Sequence, residues 1–413
     1  MRRFGAYARG LDPKLPRSVW TMEAGGLANA FGNGVAYPFT VIYLHNVRGF
    51  SLGIAGLVLA TNAMVGLGAG PLAGIVVDRI GGRVTLAASL VLMAIGFGAF
   101  PWVTEPWHAF VASAVAGVGN GGFWPSQSTL LAGLTPQARR HAAFALQRVT
   151  RNLGIGLGGI TGGLIATTSD AGSFTVLYMI DAATFIAFAV VLSLVPEPDL
   201  PAVADGARRG RYLDVLRHRV FLGFVGLNVL FVAAGYAQLE LLPVFAKNEA
   251  GVTEKAIGLI FFANTLVIVL AQLPVSKLLE GRRRMRSLAA MTVLWAAAWI
   301  GVLASGALLE TAAAATAFAL AVMVFALGEC FQGPTQGALV ADLAPPHLRG
   351  RYMALSTLSW ELGFIVGPAA GGFILDAEPL ALWPLAAMVC VVAGAGALAL
   401  ERGLPRELRL TPA

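Results

Sequence analysis

The sequence has few charged residues. Asp, Glu, Lys and Arg make up 12% of its 413 residues, whereas a soluble domain carries about 25%. So few charges cannot cover a water-soluble surface of this size, which excludes an ordinary soluble enzyme, a disordered chain and a fibrous repeat. Apolar residues make up 57% of the chain and the mean hydropathy is +0.73. The apolar runs are long and lack period-2 alternation, so they predict a helical membrane protein rather than a barrel.

Cysteine, histidine and phosphate-binding motifs are also scarce. The two cysteines, Cys330 and Cys390, lie in apolar segments and give neither a disulfide framework nor a metal-ligand spacing. None of the five histidines belongs to a His-x-x-x-His or nucleophile motif. The chain also lacks a Gly-x-x-x-x-Gly-Lys loop, so ATP is not an energy source within it. We therefore expect no cofactor, no metal and no enzymatic activity.

Long apolar runs dominate what is present. A helix needs about 20 apolar residues to cross the hydrocarbon core of a bilayer, and the sequence contains twelve such runs. The breaks between them are short and rich in turn residues, except for one long Pro- and Arg-rich break that separates six runs from six. The predicted spans are 18–45, 51–77, 83–102, 107–134, 142–167, 171–195, 220–246, 254–279, 285–307, 311–343, 351–375 and 378–400.

The positions of the basic residues predict the orientation. With the N-terminus in the cytoplasm, 26 of the 29 Lys and Arg residues fall on the cytoplasmic side, and only Arg48, Lys247 and Lys255 fall outside. This asymmetry predicts that both termini are cytoplasmic. The basic residues would face an anionic inner leaflet, which explains the pI near 9.8 without nucleic acid. Abundant Arg, Ala and Gly are typical of a GC-rich bacterial genome, so we expect a multi-pass protein of the bacterial cytoplasmic (inner) membrane.

The two halves of the sequence repeat each other. When the chain is shifted by 209 residues, helices 4–5 align with helices 10–11 without a gap; Pro125 falls on Pro334, and Gly154 falls on Gly363. A parallel repeat of six helices places two bundles side by side with a cleft between them. The predicted organisation is a cytoplasmic tail (1–17), an N-terminal six-helix bundle (18–195), a cytoplasmic linker (196–219), a C-terminal six-helix bundle (220–400) and a cytoplasmic tail (401–413).

The loop after helix 2 carries a recognisable motif, Gly74-Ile-Val-Val-Asp78-Arg79-Ile-Gly81-Gly82-Arg83. It is similar to the signature loop Gly-x-x-x-Asp-Arg-x-Gly-x-Arg of the major facilitator superfamily, and the resemblance covers essentially the whole chain. The resemblance implies an all-α fold of 12 transmembrane helices in two pseudo-symmetric six-helix bundles, and transport by alternating access. It also implies a gating loop in which Asp78 contacts helix 11. On the residues alone, a solvated turn that follows the positive-inside rule explains the loop as well.

Glycine-rich motifs lie on helices 5 and 11. The helix 11 motif is similar to the glycine-proline motif that drug/proton antiporters of this superfamily carry on helix 5. Small residues at every fourth position let helix backbones approach closely, so close packing and gating both explain them. Efflux members often carry an arginine at the position of Ser113 here, so another basic group must serve in proton transfer. The predicted packing residues are Gly154, Gly158, Gly162, Gly163, Gly363, Gly367, Pro368, Gly371 and Gly372.

Six ionisable residues inside the predicted spans are candidates for proton coupling. A charge at mid-bilayer costs at least about 2.5–3.5 kcal/mol, so each such residue needs a partner or a wet cavity. A poorly solvated carboxylate can bind and release a proton near neutral pH, which favours the two glutamates of helices 10 and 11. Alternatives are a snorkelling Glu23, a structural Arg151–Asp181 pair, and protonated glutamates that donate to carbonyls. The candidates are Glu23, Arg151, Asp181, Glu240, Glu329 and Glu361.

Amide and aromatic side chains near these positions predict a substrate cavity. In the superfamily, helices 1, 4, 7 and 10 line the cavity, and aromatic rings there can stack on a flat or cationic ligand. Arg148 is shallower on helix 5 and is expected to reach lipid phosphate. The cavity candidates are Asn29, Asn33, Tyr37, Asn120, Trp124, Gln127, Asn152, Tyr236, Gln238, Gln332, Gln336 and Trp360.

Together these features predict a secondary transporter that exports lipophilic or cationic small molecules in exchange for protons. Its expected partners are the small-molecule substrate, protons and membrane lipids, without nucleic acid, and we expect a monomer. Uptake or lipid flipping on the same fold stays open. In other classes, so do a non-transporting receptor and a membrane-embedded enzyme, although the loops are too short to house a catalytic domain.

Overall fold

The computed structural model describes residues 15–198, 212–309, 311–345 and 348–411. Residues 1–14 of the predicted N-terminal tail, 199–211 of the predicted linker and 412–413 of the predicted C-terminal tail lie outside these ranges. Within the described residues the chain is helical and forms no β-sheet. One isolated antiparallel bridge pairs Arg283 with Leu410. The predicted all-α class is therefore confirmed.

Long helices follow one another through both halves. Those of the first half are α1 (Arg17–Ala36), α2 (Leu52–Ile80), α3 (Gly82–Gly98), α4 (Pro106–Leu134), α5 (Arg140–Ile165) and α6 (Ala171–Leu192). Those of the second half are α7 (Arg219–Ala234), α8 (Glu254–Leu279), α9 (Arg284–Leu308), α10 (Thr311–Leu343), α11 (Arg349–Ala377) and α12 (Leu382–Leu400). Shorter helical segments are Phe100–Trp102, Gln137–Arg139, Tyr212–Leu216, Glu401–Gly403 and Arg406–Leu408.

Local capping explains several helix starts. The side chains of Ser51, Asp170 and Thr253 each accept a hydrogen bond from a backbone N–H in the first turn of the helix that follows, at 2.8–3.3 Å. Such caps satisfy N–H groups that have no partner within the helix. Pro106 begins α4, where its missing N–H costs nothing.

Nine helices in the described ranges are long and apolar enough to cross a membrane. They are α2, α3, α6 and α7 to α12, counted with short extensions. The chain is therefore a multi-pass membrane protein. The helices α1, α4 and α5 are not among the nine, so the predicted count of twelve spans stays a prediction, as does the orientation of the termini.

Two spans that the sequence predicts as continuous helices are interrupted towards their C-terminal ends. The predicted span 220–246 divides into α7, a 3₁₀ segment Tyr236–Glu240 and a helix Leu242–Ala250. Gly235 lies at the break, where a Cβ atom would overlap the ring of Trp295. The helix α1 likewise gives way to a 3₁₀ turn (Tyr37–Phe39), a short helix (Thr40–Ile42) and a π-helical turn (Tyr43–Val47). Pro38 and Pro243 lack the N–H that a regular helix needs.

Helix packing follows the same pattern in both halves. In the first half α1 packs on α5 and α6, α2 packs on α4, and α3 packs on α4 and α6. In the second half α7 packs on α11 and α12, α8 packs on α10, and α9 packs on α10 and α12. The two halves meet through α2 against α11 and α5 against α8. Adding six to each helix number converts one set of contacts into the other, as expected for two copies of one bundle.

Glycines bring the halves together at one end, which we call the closed end. A Cβ atom on Gly56 of α2 would overlap the carbonyl oxygen of Pro368 on α11, and one on Gly163 of α5 would lie 2.6 Å from the carbonyl oxygen of Glu254. At the same end the backbone N–H of Leu52 donates to Asp376 (3.1 Å). Close backbone approach therefore seals this end.

Some of the predicted packing glycines contact helices of their own half, and others contact the opposite half. In the first half, Gly154, Gly158 and Gly162 contact α1, whereas Gly163 contacts α8. In the second half, Gly363 and Gly367 contact α7, Gly371 contacts the side chain of Gln238, and Pro368 and Gly372 contact α2. The same motifs thus pack helices within each half and also form the interface between the halves.

The opposite end, which we call the open end, holds the predicted gating loop. Gly68 and Gly74 of α2 face open space, and Asp78 and Arg79 are exposed. Within the described residues Asp78 has no hydrogen bond or ion pair, so the predicted contact of Asp78 with α11 is absent here. The physical reason is that α2 and α11 contact each other at the closed end.

Arg83 makes the strongest contacts of this loop. Its backbone N–H donates to the Glu197 carboxylate (3.0 Å), its guanidinium donates to the carbonyl of Val195 (2.9 Å), and its Nε lies 3.7 Å from Glu197. Gly81 has a φ of +95°, and a Cβ atom there would lie 2.5 Å from the carboxyl carbon of Glu197. The loop is therefore tied to the chain just after α6.

Candidate functional site

The breaks in α1 and α7 bring two side chains together between the halves. The Tyr37 hydroxyl donates a hydrogen bond to Oε1 of Glu240. Glu240 is 8% exposed, so this hydrogen bond lies largely out of contact with bulk water. Interrupted helices in corresponding positions of two repeats are a pointer to a transporter binding site. The contact between Tyr37 and Glu240 is therefore part of the candidate site.

We call the interface between the two halves, where α2 meets α11 and α5 meets α8, the seam. Arg151 of α5 lies along this seam. Its guanidinium carbon lies 4.8 Å from the ring centroid of Trp124 on α4, a cation–π contact. The guanidinium also interacts electrostatically with Glu329, Tyr236 and Tyr37. Within the described residues it forms no ion pair with Asp181, so the alternative of a structural pair inside the first half is not supported.

Glu329 of α10 faces this arginine from the second half. The carboxylate is 8% exposed and accepts a hydrogen bond from Asn264 Nδ2 of α8 (3.4 Å). The charges of Arg148 and Arg151 both act on it. The buried carboxylate of one half therefore lies within electrostatic range of two cations of the other half, although in the described residues it forms no ion pair with either.

Arg148 does not reach outwards to lipid. Its guanidinium donates to Gln272 Oε1 of α8 (2.8 Å), and a Cβ atom on Gly333 of α10 would lie 2.7 Å from its Nη1. The alternative that Arg148 contacts lipid phosphate is therefore not supported by these contacts. The side chain crosses from α5 to the second half because α5 packs directly on α8.

Aromatic rings surround these charged groups. Tyr236 lies 5.0 Å from Trp360 and 5.2 Å from Trp295, measured between ring centroids. Tyr37 and Trp124 are 47% and 38% exposed although both contact groups of the seam. Their accessible faces are therefore available to a ligand between the halves.

The predicted cavity glutamines have other partners. Gln332 donates to Gln336 (2.7 Å), which donates to Asn228 (2.7 Å), which donates to Ser359 (2.7 Å). Tyr236 donates to Gln332 at the other end of this chain (2.6 Å). These amides link α7, α10 and α11 inside the second half and support Tyr236; their contact with substrate stays a prediction.

Gln238 is also placed differently from its prediction. Its Nε2 donates to the carbonyl oxygens of Ala233 (2.7 Å) and Gly367 (3.4 Å). It is 5% exposed and fills the contact between the 3₁₀ segment and α11. It therefore bridges the break after α7 through its Nε2, and its role in the cavity stays a prediction.

Two predicted carboxylates lie inside the first half. Glu23 is 2% exposed and accepts a hydrogen bond from Thr150 (2.8 Å), while its other oxygen is buried without a partner in the described ranges. It is therefore not a snorkelling side chain. Asp181 is 3% exposed, and its Oδ1 likewise lacks a partner there. Both remain candidates for carrying a proton, because a charge without a partner is costly at these positions.

The remaining candidates lie at different distances from the seam. Asn120 donates to Asn62 of α2 (3.3 Å) inside the first half. Glu361 is partly buried, and among the described residues it has no hydrogen bond or ion pair. It shares a helix face with Pro368 and Gly372, seven and eleven residues later, and this face contacts α2. Glu361 therefore lies along the seam but apart from Glu329.

The other predicted amides are near α1. Gln127 is buried, and its Nε2 would lie 3.8 Å from a Cβ atom on Gly26, which places it beside Glu23. Asn29 is buried with its Nδ2 unpartnered in the described part of the chain. Asn33 and Asn152 are partly exposed.

Three partners of the site residues are not among the residues predicted from the sequence. Asn264 and Gln272 lie on α8, and Asn228 lies on α7, where each is an isolated amide in an apolar run. A polar residue in a predicted span is a signal by itself, so the sequence already marks these three amides as candidates for the site. In the described residues, no group of three His, Cys, Asp or Glu side chains could hold a metal ion.

Comparison with known proteins now decides the family. The family model described as Major Facilitator Superfamily matches residues 24–253 and 229–412. The chain belongs to the Major Facilitator Superfamily. The resemblance carried by the Gly74–Arg83 loop is thereby confirmed, and the chain is a member of a transporter family.

Curated relatives within the superfamily are transporters of several kinds. The multidrug resistance protein MdtH of Cronobacter sakazakii is 27% identical over 348 residues, with 83% of each chain covered. An uncharacterized MFS-type transporter, YqjV, of Bacillus subtilis is 25% identical over 364 residues, with 86% of each covered. A Na(+), Li(+), K(+)/H(+) antiporter of Planococcus maritimus is 26% identical, covering 81% of this chain and 84% of the relative.

Solved structures share the major facilitator fold. The nucleoside transporter NupG superposes with a TM-score of 0.79 at 13% identity, covering 93% of this chain and 99% of that one. A peptide transporter POT in complex with sulfate superposes with a TM-score of 0.78 at 16% identity, covering 95% and 96%. At this identity the likeness concerns the fold alone.

Proposed function

We propose that this protein is a proton-coupled exporter of lipophilic or cationic small molecules. It would act as a monomer in the bacterial cytoplasmic membrane, with both termini in the cytoplasm, and work by alternating access between the closed and open ends. In that orientation the open end faces the cytoplasm, where an exporter takes up its substrate.

One observation carries the proposal: buried carboxylates of the second half face cations and a phenol of the first half. Arg148 and Arg151 act electrostatically on Glu329, and Glu240 accepts a hydrogen bond from Tyr37. The attraction between these groups acts directly on the separation of the halves. Any change in their charge therefore shifts the balance between the two access states.

Exchange follows from the shared chemistry of protons and cations. A carboxylate shielded from water is stabilised either by a bound proton or by a neighbouring positive charge. With both glutamates ionised, two negative charges balance the two arginines and a cationic substrate can be accommodated. Protonation of Glu329 leaves an excess of positive charge, which repels the substrate and favours its release.

The aromatic rings support a substrate that is flat or lipophilic. Tyr37 and Trp124 present accessible ring faces beside the charged groups, and rings bind organic cations through their negative faces. The similarity to MdtH, which is named a multidrug resistance protein, points the same way. The positions of Arg148 and Arg151 also supply the basic groups that Ser113 cannot.

The test is substrate movement driven by a pH gradient in liposomes that contain the purified protein. We expect Glu329→Gln to abolish proton-driven flux, because the site loses its exchangeable charge. Glu249→Gln is the matched control, since this exposed glutamate at the closed end is outside the seam. Glu361→Gln should have a smaller effect than Glu329→Gln, because Arg148 and Arg151 both act on Glu329, whereas no cation of the described residues acts on Glu361.

The substrate panel should contain lipophilic cations, neutral compounds, anions and monovalent metal ions. Flux of lipophilic cations that depends on the pH gradient and on Glu329 supports the proposal. Wild-type flux in both Glu329→Gln and Glu361→Gln would overturn proton coupling by these carboxylates. Flux of monovalent metal ions alone would replace the substrate class while leaving the coupling site intact.

A further inference from the structure

A small polar cavity lies at the open end, far from the seam. It has a volume of about 160 Å³ and is lined by Arg283, Leu398, Glu401, Arg402 and Arg409. It is formed where the segment before α9, the end of α12 and the C-terminal residues meet. We call it the rim pocket. Drug-sized ligand sites have volumes of about 300–1,000 Å³, so the rim pocket suits a small group such as a phosphate.

The rim pocket carries an uncompensated positive charge. Arg283 is paired with Glu401 (3.2 Å). Arg409 donates only to backbone carbonyl oxygens, those of Leu404 (3.0 Å) and Arg402 (3.2 Å). In the described part of the chain the Arg402 guanidinium has no hydrogen-bond or ion-pair partner. Three guanidinium groups therefore face one carboxylate, which leaves a net charge of +2.

Backbone hydrogen bonds hold these arginines in place. The N–H of Arg284 donates to the carbonyl of Arg409 (2.8 Å), and the N–H of Thr411 donates to that of Arg282 (2.8 Å). The N–H of Gly281 in turn donates to the carbonyl of Thr411 (3.0 Å). These bonds and the isolated bridge between Arg283 and Leu410 hold the segment Arg409–Thr411 against the segment before α9. The pocket is built in advance of any ligand, which lowers the cost of binding.

Apolar side chains beside the arginines face outwards. Leu398, in the last turn of α12, is 45% exposed, and Leu410 is 48% exposed. In a membrane-spanning helix such side chains contact acyl chains. The rim pocket therefore lies where the hydrocarbon surface ends and the headgroup region begins, provided that α12 spans the membrane as proposed above.

We propose that the rim pocket binds a phosphate group, and that an anionic phospholipid supplies it. Guanidinium groups match phosphate oxygens in charge and in hydrogen-bond geometry. Basic pockets at the cytoplasmic side of membrane proteins bind anionic headgroups. Leu398 and Leu410 favour the lipid over free phosphate, because they offer a surface on which its acyl chains can lie.

The test measures thermal stabilisation of the full-length protein in detergent by titrated phosphatidylglycerol. Phosphatidylcholine and inorganic phosphate are titrated in parallel. We expect phosphatidylglycerol to stabilise the wild type at the lowest concentration. Arg402→Gln should raise the lipid concentration for half-maximal stabilisation about fivefold, from the contribution of one arginine near an anionic surface. Arg406→Gln is the matched control, since Arg406 is exposed on the same segment and does not line the pocket.

Each outcome bears on the proposal. An equal response of wild type, Arg402→Gln and Arg406→Gln to phosphatidylglycerol would overturn the site. Equal stabilisation by phosphatidylcholine would overturn selectivity of the rim pocket for an anionic headgroup. Equal, Arg402-dependent stabilisation by inorganic phosphate would overturn the lipid as its source. None of these results depends on transport, so failure here is distinguishable from failure of the proposed exporter. Wild-type thermal stabilisation of Arg402→Lys by phosphatidylglycerol would support a site that depends on charge.

Discussion

The hydrogen bond between Tyr37 and Glu240 gives the sharpest test of the alternating-access proposal. It joins the 3₁₀ turn that follows α1 in one half to the 3₁₀ segment Tyr236–Glu240 of the other half, so it exists only when the halves are together at that level. Tyr37→Phe removes the donor and leaves the ring. We expect this variant to populate the state in which the closed end has opened.

The magnitude follows from the kind of hydrogen bond that is lost. A hydrogen bond to a charged group contributes about 1.5–3 kcal/mol. Tyr37 is 47% exposed, so water can partly replace the lost contact and the lower figure applies. About 1.5 kcal/mol changes the ratio of the two access states about twelvefold.

The assay is a distance measurement between spin labels in the closed end. Ser169→Cys and Glu249→Cys place one label on each half at exposed positions. The native Cys330 and Cys390 are buried and should not react. The fraction of molecules with a long distance should rise in Tyr37→Phe.

A double-mutant cycle separates the bond from other effects. Tyr37→Phe and Glu240→Gln should give non-additive shifts in the two-state ratio, because both remove one interaction. Tyr43→Phe is the control, since the Tyr43 hydroxyl donates to the carbonyl of Phe100 within one half (2.8 Å). Additive shifts, or the same shift in Tyr43→Phe, would refute the assignment of this bond to the interface between the halves.

Two further predictions concern packing. Gly56→Ala should hinder closure by about 1–3 kcal/mol, as expected for overpacking, and reduce flux. Gly68→Ala, on the same helix, should not, because a Cβ atom there meets no atom within 4 Å; equal flux in the two variants would contradict the close-approach argument. Trp295→Ala should lower the free energy of unfolding by about 3–5 kcal/mol, because Trp295 is fully buried and donates to the carbonyl of Phe325 (3.1 Å). Chemical denaturation checks this against Trp102→Ala, which removes a 68% exposed ring; comparable losses would contradict the burial argument.

The course of the helices and the family could be predicted because their signals are local. Hydropathy marks each apolar run, and the Gly74–Arg83 spacing carries the resemblance. The break after α7 could not be predicted in the same way. A single glycine is tolerated within an apolar helix, and Gly235 ends α7 beside the Trp295 ring from α9, a contact between residues 60 positions apart.

The candidate site could be predicted only in part, for a related reason. Depth along a helix can be counted from the sequence, and it predicted that Glu329 and Arg151 lie inside the membrane-spanning region; their role in coupling stays a prediction. The face that a side chain occupies depends on its neighbours. Gln332 and Gln336 turn towards Asn228 of α7, and Arg148 turns towards Gln272 of α8. No residue count along α5 or α10 contains that information.

The division of charges between the halves ranks the carboxylates by expected importance. Glu23 and Asp181 contact groups of the first half only, so a change in their charge alters packing inside one bundle. Glu240 and Glu329 face Tyr37, Arg148 and Arg151 across the seam. A proton on either of these two therefore changes the force between bundles that must separate during transport. Because Ser113 occupies the position where efflux members often carry a helix 4 arginine, we infer that the two arginines of α5 take over its electrostatic role, and that coupling is strongest at Glu329, on which both of them act.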